Sequence, residues 1–319
     1  MENNWYDFFI EALHHKYPKK SQLTQELVDL LYIEREAVYR RLRKDVLFPV
    51  DEIVKIASEW NISLDEIIGI STGQISFQMR KMNYLDPSDD ETRFLRQIIR
   101  SIGYFKDFPN TEFMDICNKF PRQIFSGYEY LNKFNMFKWI YQYGNEDEVV
   151  PFAKIELSPE RLQLTADYYQ AIKKVPNTFF IWDRMLFDNF VSDIKYFNAV
   201  QMITKEEKDL IRKDLFALLD YMQEVASKGF FPETHNKVTI YISQLSINTN
   251  YSYVLTPEAN ICFVSVFEKY DIYTFDSEMI KHFRLWMQQK KRSSIQISEV
   301  DERNRIEYFT RQRQLISTL

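Results

Sequence analysis

Glycine is scarce in this chain, with 6 in 319 residues. That scarcity leaves no GxGxxG or GxxxxGK spacing, so the glycine-rich loops that cradle dinucleotides and nucleotide phosphates are excluded. Cysteine is scarcer still. Cys117 and Cys262 have no histidine or cysteine at metal-ligand spacing and read as two buried, reduced thiols. The four histidines, His14, His15, His235 and His282, form no ligand pattern, because adjacent positions 14 and 15 on a helix point in different directions. No run of 18 apolar residues is present to cross a membrane, and Met1-Glu2-Asn3-Asn4 is not a secretory opening. The expectation is a soluble, cytoplasmic protein without a membrane partner. No cofactor is expected, and no paired carboxylates or activated nucleophile mark the chain as an enzyme.

Aromatic residues, in contrast, make up 16% of the chain, with 26 Phe and 20 Tyr, which describes an ordered, helix-rich protein. The length suits two or three domains. A net charge of −5 and a pI near 5.6 argue against a protein that coats nucleic acid indiscriminately. Any contact with DNA must come from charge gathered locally.

Along the chain, residues 5–17 put Trp5, Phe8, Phe9, Ala12 and Leu13 on one helical face, and Pro18 stops the pattern. Residues 51–60 repeat it with Ile53, Ile56, Ala57 and Trp60. Ser63 followed by Glu66 is a capping box, and Gly69 suits the end of the short helix it starts. Past Gly73 the pattern alternates through Ile75, Phe77 and Met79, a strand candidate whose unpaired edge would seek a partner chain. These changes divide the chain into a domain at 1–73, a linker with that strand candidate at 74–90, and a body at 91–319.

Within the body, residues 91–235 read as mainly helical, with helices over 91–106, 123–143, 159–175, 178–200 and 205–228, while 112–120 is ambiguous between strand and helix. Residues 236–319 read as α+β: β-branched runs at 237–243, 250–255 and 261–267 predict an antiparallel sheet, followed by a helix at 277–290, a short strand at 294–297 and a terminal helix. The fold class is therefore mainly α, with an N-terminal domain of helices and a large helical body that carries an antiparallel sheet. The aromatic segment 125–143, together with that sheet, leaves two readings open: a packed core, or a pocket for a small-molecule effector.

One stretch, 22–70, implies a function. Glu26 to Leu31 forms a short amphipathic helix, Tyr32-Ile33-Glu34 allows only a tight turn, and a second helix runs over 35–44. On the second helix Val38 and Leu42 face inward, which leaves Arg35, Glu36, Tyr39, Arg40 and Arg43 outward. Five of its ten residues are Arg or Lys against one Glu, a face suited to a phosphate-rich partner.

The steps Glu26-Leu27-Val28, Tyr32-Ile33, Val38, Pro49 and Ser63-Leu64-Asp65-Glu66 resemble the five-helix, helix-turn-helix DNA-binding domain of the phage repressor and Cro type of transcription regulators. The resemblance covers about 70 residues. It implies a helix-two phosphate contact from Thr24 or Gln25. It also implies a recognition helix in the major groove, on which Arg35, Glu36, Tyr39 and Arg40 read bases while Arg43, Lys44 and the Lys19-Lys20 loop hold phosphates. Double-stranded DNA is then the partner, and a homodimer is expected because two copies span two half-sites. Tyr32 stands where the family has glycine at positive φ, which a bulky residue occupies at a cost of ~1 kcal/mol or avoids through a different turn. Two functions follow as expectations: a sequence-specific one-component regulator, or a protein-interaction protein with a degenerate helix-turn-helix domain.

Overall fold

The computed structural model describes residues 5–60, 62–65, 67–68, 75–79, 87–144, 150–266 and 270–319. Two compact units make up the chain, 1–77 and 78–319. The first contains α1 (Trp5–Lys16), α2 (Lys20–Leu31), α3 (Arg35–Leu42) and α4 (Val50–Trp60). Their apolar stripes meet in one core of Tyr6, Phe9, Leu13, Leu23, Leu27, Val38, Phe48, Ile53, Ile56 and Trp60. The expected helix after Ser63 lies partly outside the described residues. Helix α2 starts six residues earlier than its sequence pattern suggested, since Leu23 and Leu27 supply one inward stripe behind an otherwise polar opening.

The second unit is built on an eight-stranded mixed sheet with the order β1-β7-β6-β5-β2-β3-β4-β8. Its strands are β1 (Gln78–Met79), β2 (Glu112–Cys117), β3 (Asn177–Asp183), β4 (Lys237–Ser243), β5 (Tyr251–Leu255), β6 (Asn260–Val266), β7 (Tyr270–Thr274) and β8 (Ser294–Gln296). Helix α5 (Pro87–Phe105) leads into β2. Helices α6 (Arg122–Phe125), α7 (Glu129–Tyr143) and α8 (Pro159–Ile172) connect β2 to β3, and α9 (Leu186–Ala199) and α10 (Lys205–Lys228) connect β3 to β4. Such long connections are what parallel neighbours require, and β2, β3 and β4 are parallel. Helix α11 (Ser277–Lys290) and helix α12 (Glu302–Ser317) complete the chain.

The structure corrects several expectations. Residues 177–183, read from the sequence as the start of a helix, form β3, and the helix begins only at Leu186. Phe180 and Trp182 pack among the helices on one face of the sheet while Ile181 packs under α11 on the other, so the strand carries no alternation to betray it. The runs at 237–243 and 251–255 are not neighbours, because β2 and β3 lie between them, and the sheet is mixed rather than antiparallel. It takes strands from both sides of residue 235, so the body does not divide there. The short strand after Phe77 pairs with β7 of the same chain, Gln78 with Tyr273 and Met79 with Ile272. One side of that strand is therefore paired within the chain, and β1 stands at the end of the sheet.

The aromatic segment of α7 is core. Phe134 meets Phe190 edge-on at 5.2 Å, and Phe137 meets Phe197 at 4.7 Å and Phe152 at 5.6 Å. Cys117 and Cys262 are buried free thiols. Thr204 and Glu207 form a full capping box ahead of α10, and Gly229 ends that helix at φ +72°, a backbone angle that favours glycine.

Asp115 on β2 is buried, and its carboxyl accepts from the Gln123 amide at 3.2 Å. Burial, and after it the Asp271 carboxylate, push its carboxyl from 3.8 up to about 8. The folded protein therefore holds a proton that the unfolded chain releases, and stability falls as pH rises from 3.8 to about 8. Asp115→Asn keeps the shape and removes the titration. Urea unfolding of the wild type should lose at least ~2 kcal/mol between pH 5 and pH 8, because each tenfold difference in proton affinity between the folded and unfolded states is worth ~1.4 kcal/mol. The variant should lose most of that difference, and equal pH slopes in the two proteins would refute the assignment.

Candidate nucleic-acid interface

Helix α2 ends because Tyr32 turns left-handed, at φ 57° and ψ 40°, with its N–H donating to the Val28 carbonyl at 2.9 Å. The turn is therefore the one that a glycine would favour, made here by tyrosine. Tyr32 is 86% exposed, and the Lys55 ammonium lies 5.0 Å from its ring centroid. Three residues later α3 begins, held to the core through Val38. It ends with Lys44 at φ +66°, a second left-handed turn without glycine.

Arg35, Glu36, Tyr39, Arg40, Arg43 and Lys44 are all exposed, as are Lys19, Lys20 and Gln25. Thr24 is not. It is 1% exposed and its hydroxyl donates to the Lys20 carbonyl at 2.8 Å, so the helix-two contact expected of Thr24 or Gln25 can fall only to Gln25. The Gln25 side chain bridges the two helices: it accepts from Arg35 Nη2 at 2.7 Å and donates to Asp29 at 2.9 Å. The middle of α2 and the start of α3 thus share one surface.

Charge on this surface is unevenly compensated. Arg43 donates to Glu36 at 3.2 Å and lies 3.4 Å from Asp45, while Lys44 pairs with Asp7 of α1. Among the described residues, Arg35, Arg40, Lys19 and Lys20 have no carboxylate within ion-pair distance. The pairing that helical spacing suggested, Glu36 with Arg40, is not made, and Glu36 reaches Arg43 instead. Residues 1–77 hold 9 Lys and Arg against 13 Asp and Glu, a net of −4. Any attraction for phosphate must therefore come from cations gathered locally, as these are.

Arg41, on the same helix, serves the fold. Its guanidinium donates twice to Glu52 of α4, at 2.7 and 2.9 Å, and sits 5.7 Å from the Phe48 ring. Both partners are only 16% exposed, so the bridge fixes α3 against α4 across the Pro49 turn. Helical spacing could not have found it, because the partners flank an irregular segment. Tyr6 adds to the same junction by accepting from the Phe48 N–H at 3.0 Å.

In the second unit, the carboxyl ends of the parallel strands are where an α/β sheet commonly binds ligands. Here Asp183 accepts from the N–H groups of Met185 (2.8 Å) and Ile247 (2.7 Å). Asn250 accepts from those of Asn118 (3.0 Å) and Lys119 (3.2 Å), so these side chains lace the loops together. A cleft beside α7, lined by Phe120, Asn135, Trp139 and Asn189, has a volume of about 100 Å³. That is well under the ~300 Å³ at which small-molecule pockets begin. Among the described residues no group of three or more His, Cys, Asp or Glu could hold a metal ion, and no helix is long and apolar enough to cross a membrane. No family model, curated protein or solved structure matches this chain.

The left-handed Tyr32 gives a direct test of the turn. A glycine relieves ~1 kcal/mol of backbone strain and forfeits little, because the ring is exposed. Tyr32→Gly should therefore raise the stability of the first unit by about 0.5 to 1 kcal/mol in chemical unfolding of the full chain. A loss of stability would show that the ring's contact with Lys55 outweighs the strain.

Proposed function

We propose that the first unit binds duplex DNA through α2 and α3, and that the protein is a homodimeric, one-component transcription regulator resembling the phage repressor and Cro type. The observation that carries this reading is the surface that α2 shares with the start of α3 through Gln25 and Arg35, together with four exposed cations, Arg35, Arg40 in the last turn of α3, and Lys19 and Lys20 at the start of α2, that have no opposing carboxylate among the described residues. Arg can bond guanine through two donors and Glu can accept from cytosine, so Arg35, Glu36, Tyr39 and Arg40 have the chemistry to read base edges. Lys19 and Lys20 hold phosphates. Arg43 and Lys44 contribute less, since each already has a carboxylate partner. An eight-residue helix buries too little to select a site alone, and two copies spanning half-sites one helical turn apart supply the rest.

The acidic balance of the unit suits selective rather than general binding. A second reading, a protein-docking domain with a degenerate helix-turn-helix, is favoured by the apolar side chains that α4 and the loop before it present to solvent. Val50 is 76% exposed, and Leu47 and Val54 are exposed beside it.

The two readings separate in one experiment. A duplex enriched from a random pool by the intact protein should bind with an affinity that falls steeply with salt. Arg40→Ala should cost about 1 to 3 kcal/mol and relax the preference at one base pair. Lys19→Ala and Lys20→Ala should weaken all sequences alike and lower the salt slope by about one each. Lys44→Ala should change affinity by less than either. Failure to enrich any duplex, or binding indifferent to salt, would favour the docking reading.

A further inference from the structure

The charge of the second unit is close to balanced, yet one part of its surface is strongly basic. Residues 78–319 hold 32 Lys and Arg against 33 Asp and Glu, while residues 277–293 hold five against one. That stretch is α11 and the 3-10 turn that follows it, Lys291–Ser293. Lys281, Arg284 and Arg292 are exposed, and Lys290 and Lys291 are half-buried. Positive charge suits the carboxyl end of a helix dipole, which accounts for Lys290 to Arg292. It does not account for Lys281 and Arg284, which stand before the last turn.

Carboxylates do little to compensate these cations. Glu112 of β2 lies 3.7 Å from Arg284, and it already accepts from the Tyr253 hydroxyl and from the Gln288 amide at 3.4 Å. Among the described residues, Lys281, Lys290, Lys291 and Arg292 have no carboxylate within ion-pair distance. Aromatic rings hold two of them instead. The Lys291 ammonium lies 4.1 Å from the Phe179 ring centroid and 5.5 Å from that of Tyr241, and the Lys290 ammonium lies 5.3 Å from that of Trp286. Burial lowers the Lys291 pKa below that of an ordinary lysine; Glu112 opposes the shift, and Arg284 and Lys237 add to it. Like charges gathered this way repel one another until a partner of opposite sign meets them.

Helical spacing sets the cations in a row. Ile280, Phe283 and Met287 pack against the sheet, and Lys281, Arg284 and Lys291 follow at i, i+3 and i+10 along the edge of that buried stripe. From Lys281 to Arg292 the row is about 16 Å long at ~1.5 Å per residue. A single small anion would meet one of these side chains. A nucleic acid carries one negative charge per ~1.7 Å of duplex axis and meets the whole row. A lipid surface fits less well, because α11 turns its apolar stripe into the sheet and keeps no apolar face to enter a bilayer.

We propose that α11 and the turn after it, through Lys281, Arg284, Lys290, Lys291 and Arg292, form a nucleic-acid contact of the second unit that holds the phosphodiester backbone without reading sequence. The contact does not depend on the reading of the first unit.

Fluorescence anisotropy of a labelled random-sequence duplex, titrated with the full chain across a range of salt, tests it. Lys281→Gln with Arg292→Gln removes two exposed charges and no packing, so it should weaken binding about tenfold at low salt and lower the salt slope by about two. Lys281→Arg with Arg292→Lys should retain the wild-type affinity. Adding Lys291→Gln should deepen the loss, and the double variant decides the matter if the triple one does not fold. Arg40→Ala, in the first unit, should leave the slope on this random duplex within about one of the wild type, and a larger effect there with none from α11 would count against the contact. The same series on single-stranded DNA shows which form the surface holds more tightly, since a backbone contact gives a salt-dependent loss on at least one of them. No binding of either form, an unchanged affinity and slope in the double variant, or equal binding to vesicles rich in phosphatidylserine or to polyglutamate at the same salt would each overturn the proposal.

Discussion

Burial of β3 on both faces is the constraint on which the second unit depends. Thr178, Phe180 and Trp182 face the helices, Ile181 faces α11, and β2 and β4 flank the strand in parallel register. A strand buried this way can only be central. Its neighbours must then reach it by long connections, and those connections are the helices α6 to α10 that cover one face. The aromatic rings concentrated in α7 and α9 fill the space between these helices and the sheet. Their number reflects how much volume one wide sheet face requires, at ~150 to 250 Å² of surface buried per ring.

The first unit is held together differently. Its core is small, and two chain reversals, at Tyr32 and Lys44, are made in left-handed backbone without glycine. The strain is tolerated because the turns are fixed from outside. Arg41 and Glu52 clamp α3 to α4, and Lys44 reaches Asp7 on α1. The same ion pairs sort the cations of α3 into those engaged by the fold and those without a carboxylate partner among the described residues. An acidic domain can thus keep a local basic surface, which the total charge conceals.

Legibility in the sequence followed burial on one face. Helices α1, α3, α4, α8, α10 and α11 each carry a single apolar stripe or a capping signal, and their limits could be read closely. Strand β3 could not, because Phe179 to Trp182 is a run of apolar residues without a period, which fits a buried helix as well as a buried strand. Strand β7 was passed over, since Asp271 interrupts its apolar pattern and is held by the Ser265 hydroxyl of the neighbouring strand. The outward residues of α3 were legible from helical geometry alone. Which of them were already engaged was not, since Lys44 meets a residue 37 positions away on another helix. Between Thr24 and Gln25 the sequence could not choose for a related reason: a hydroxyl that looks available in sequence bonds its own helix. Glu91 of α5 is bound by both Arg122 of α6 and Arg161 of α8, helices far apart in the chain, and no local pattern marks any of the three.

The position of β2 also governs how the protein can be made. Its partner on one side, β3, follows within the same stretch of helices, but its partner on the other side, β5, arrives only after β4 has been laid down. The bond between Tyr253 and Glu112 spans 141 residues. A chain leaving the ribosome at ~5 to 20 residues per second therefore carries β2 with one bare edge for many seconds. Met114 and Ile116 are exposed on that strand for as long, until the meander and α11 cover them. Non-local pairing of this kind is slow and open to aggregation, so the exposure of β2 during synthesis is set by the interval between β3 and β5 rather than by the stability of the finished sheet.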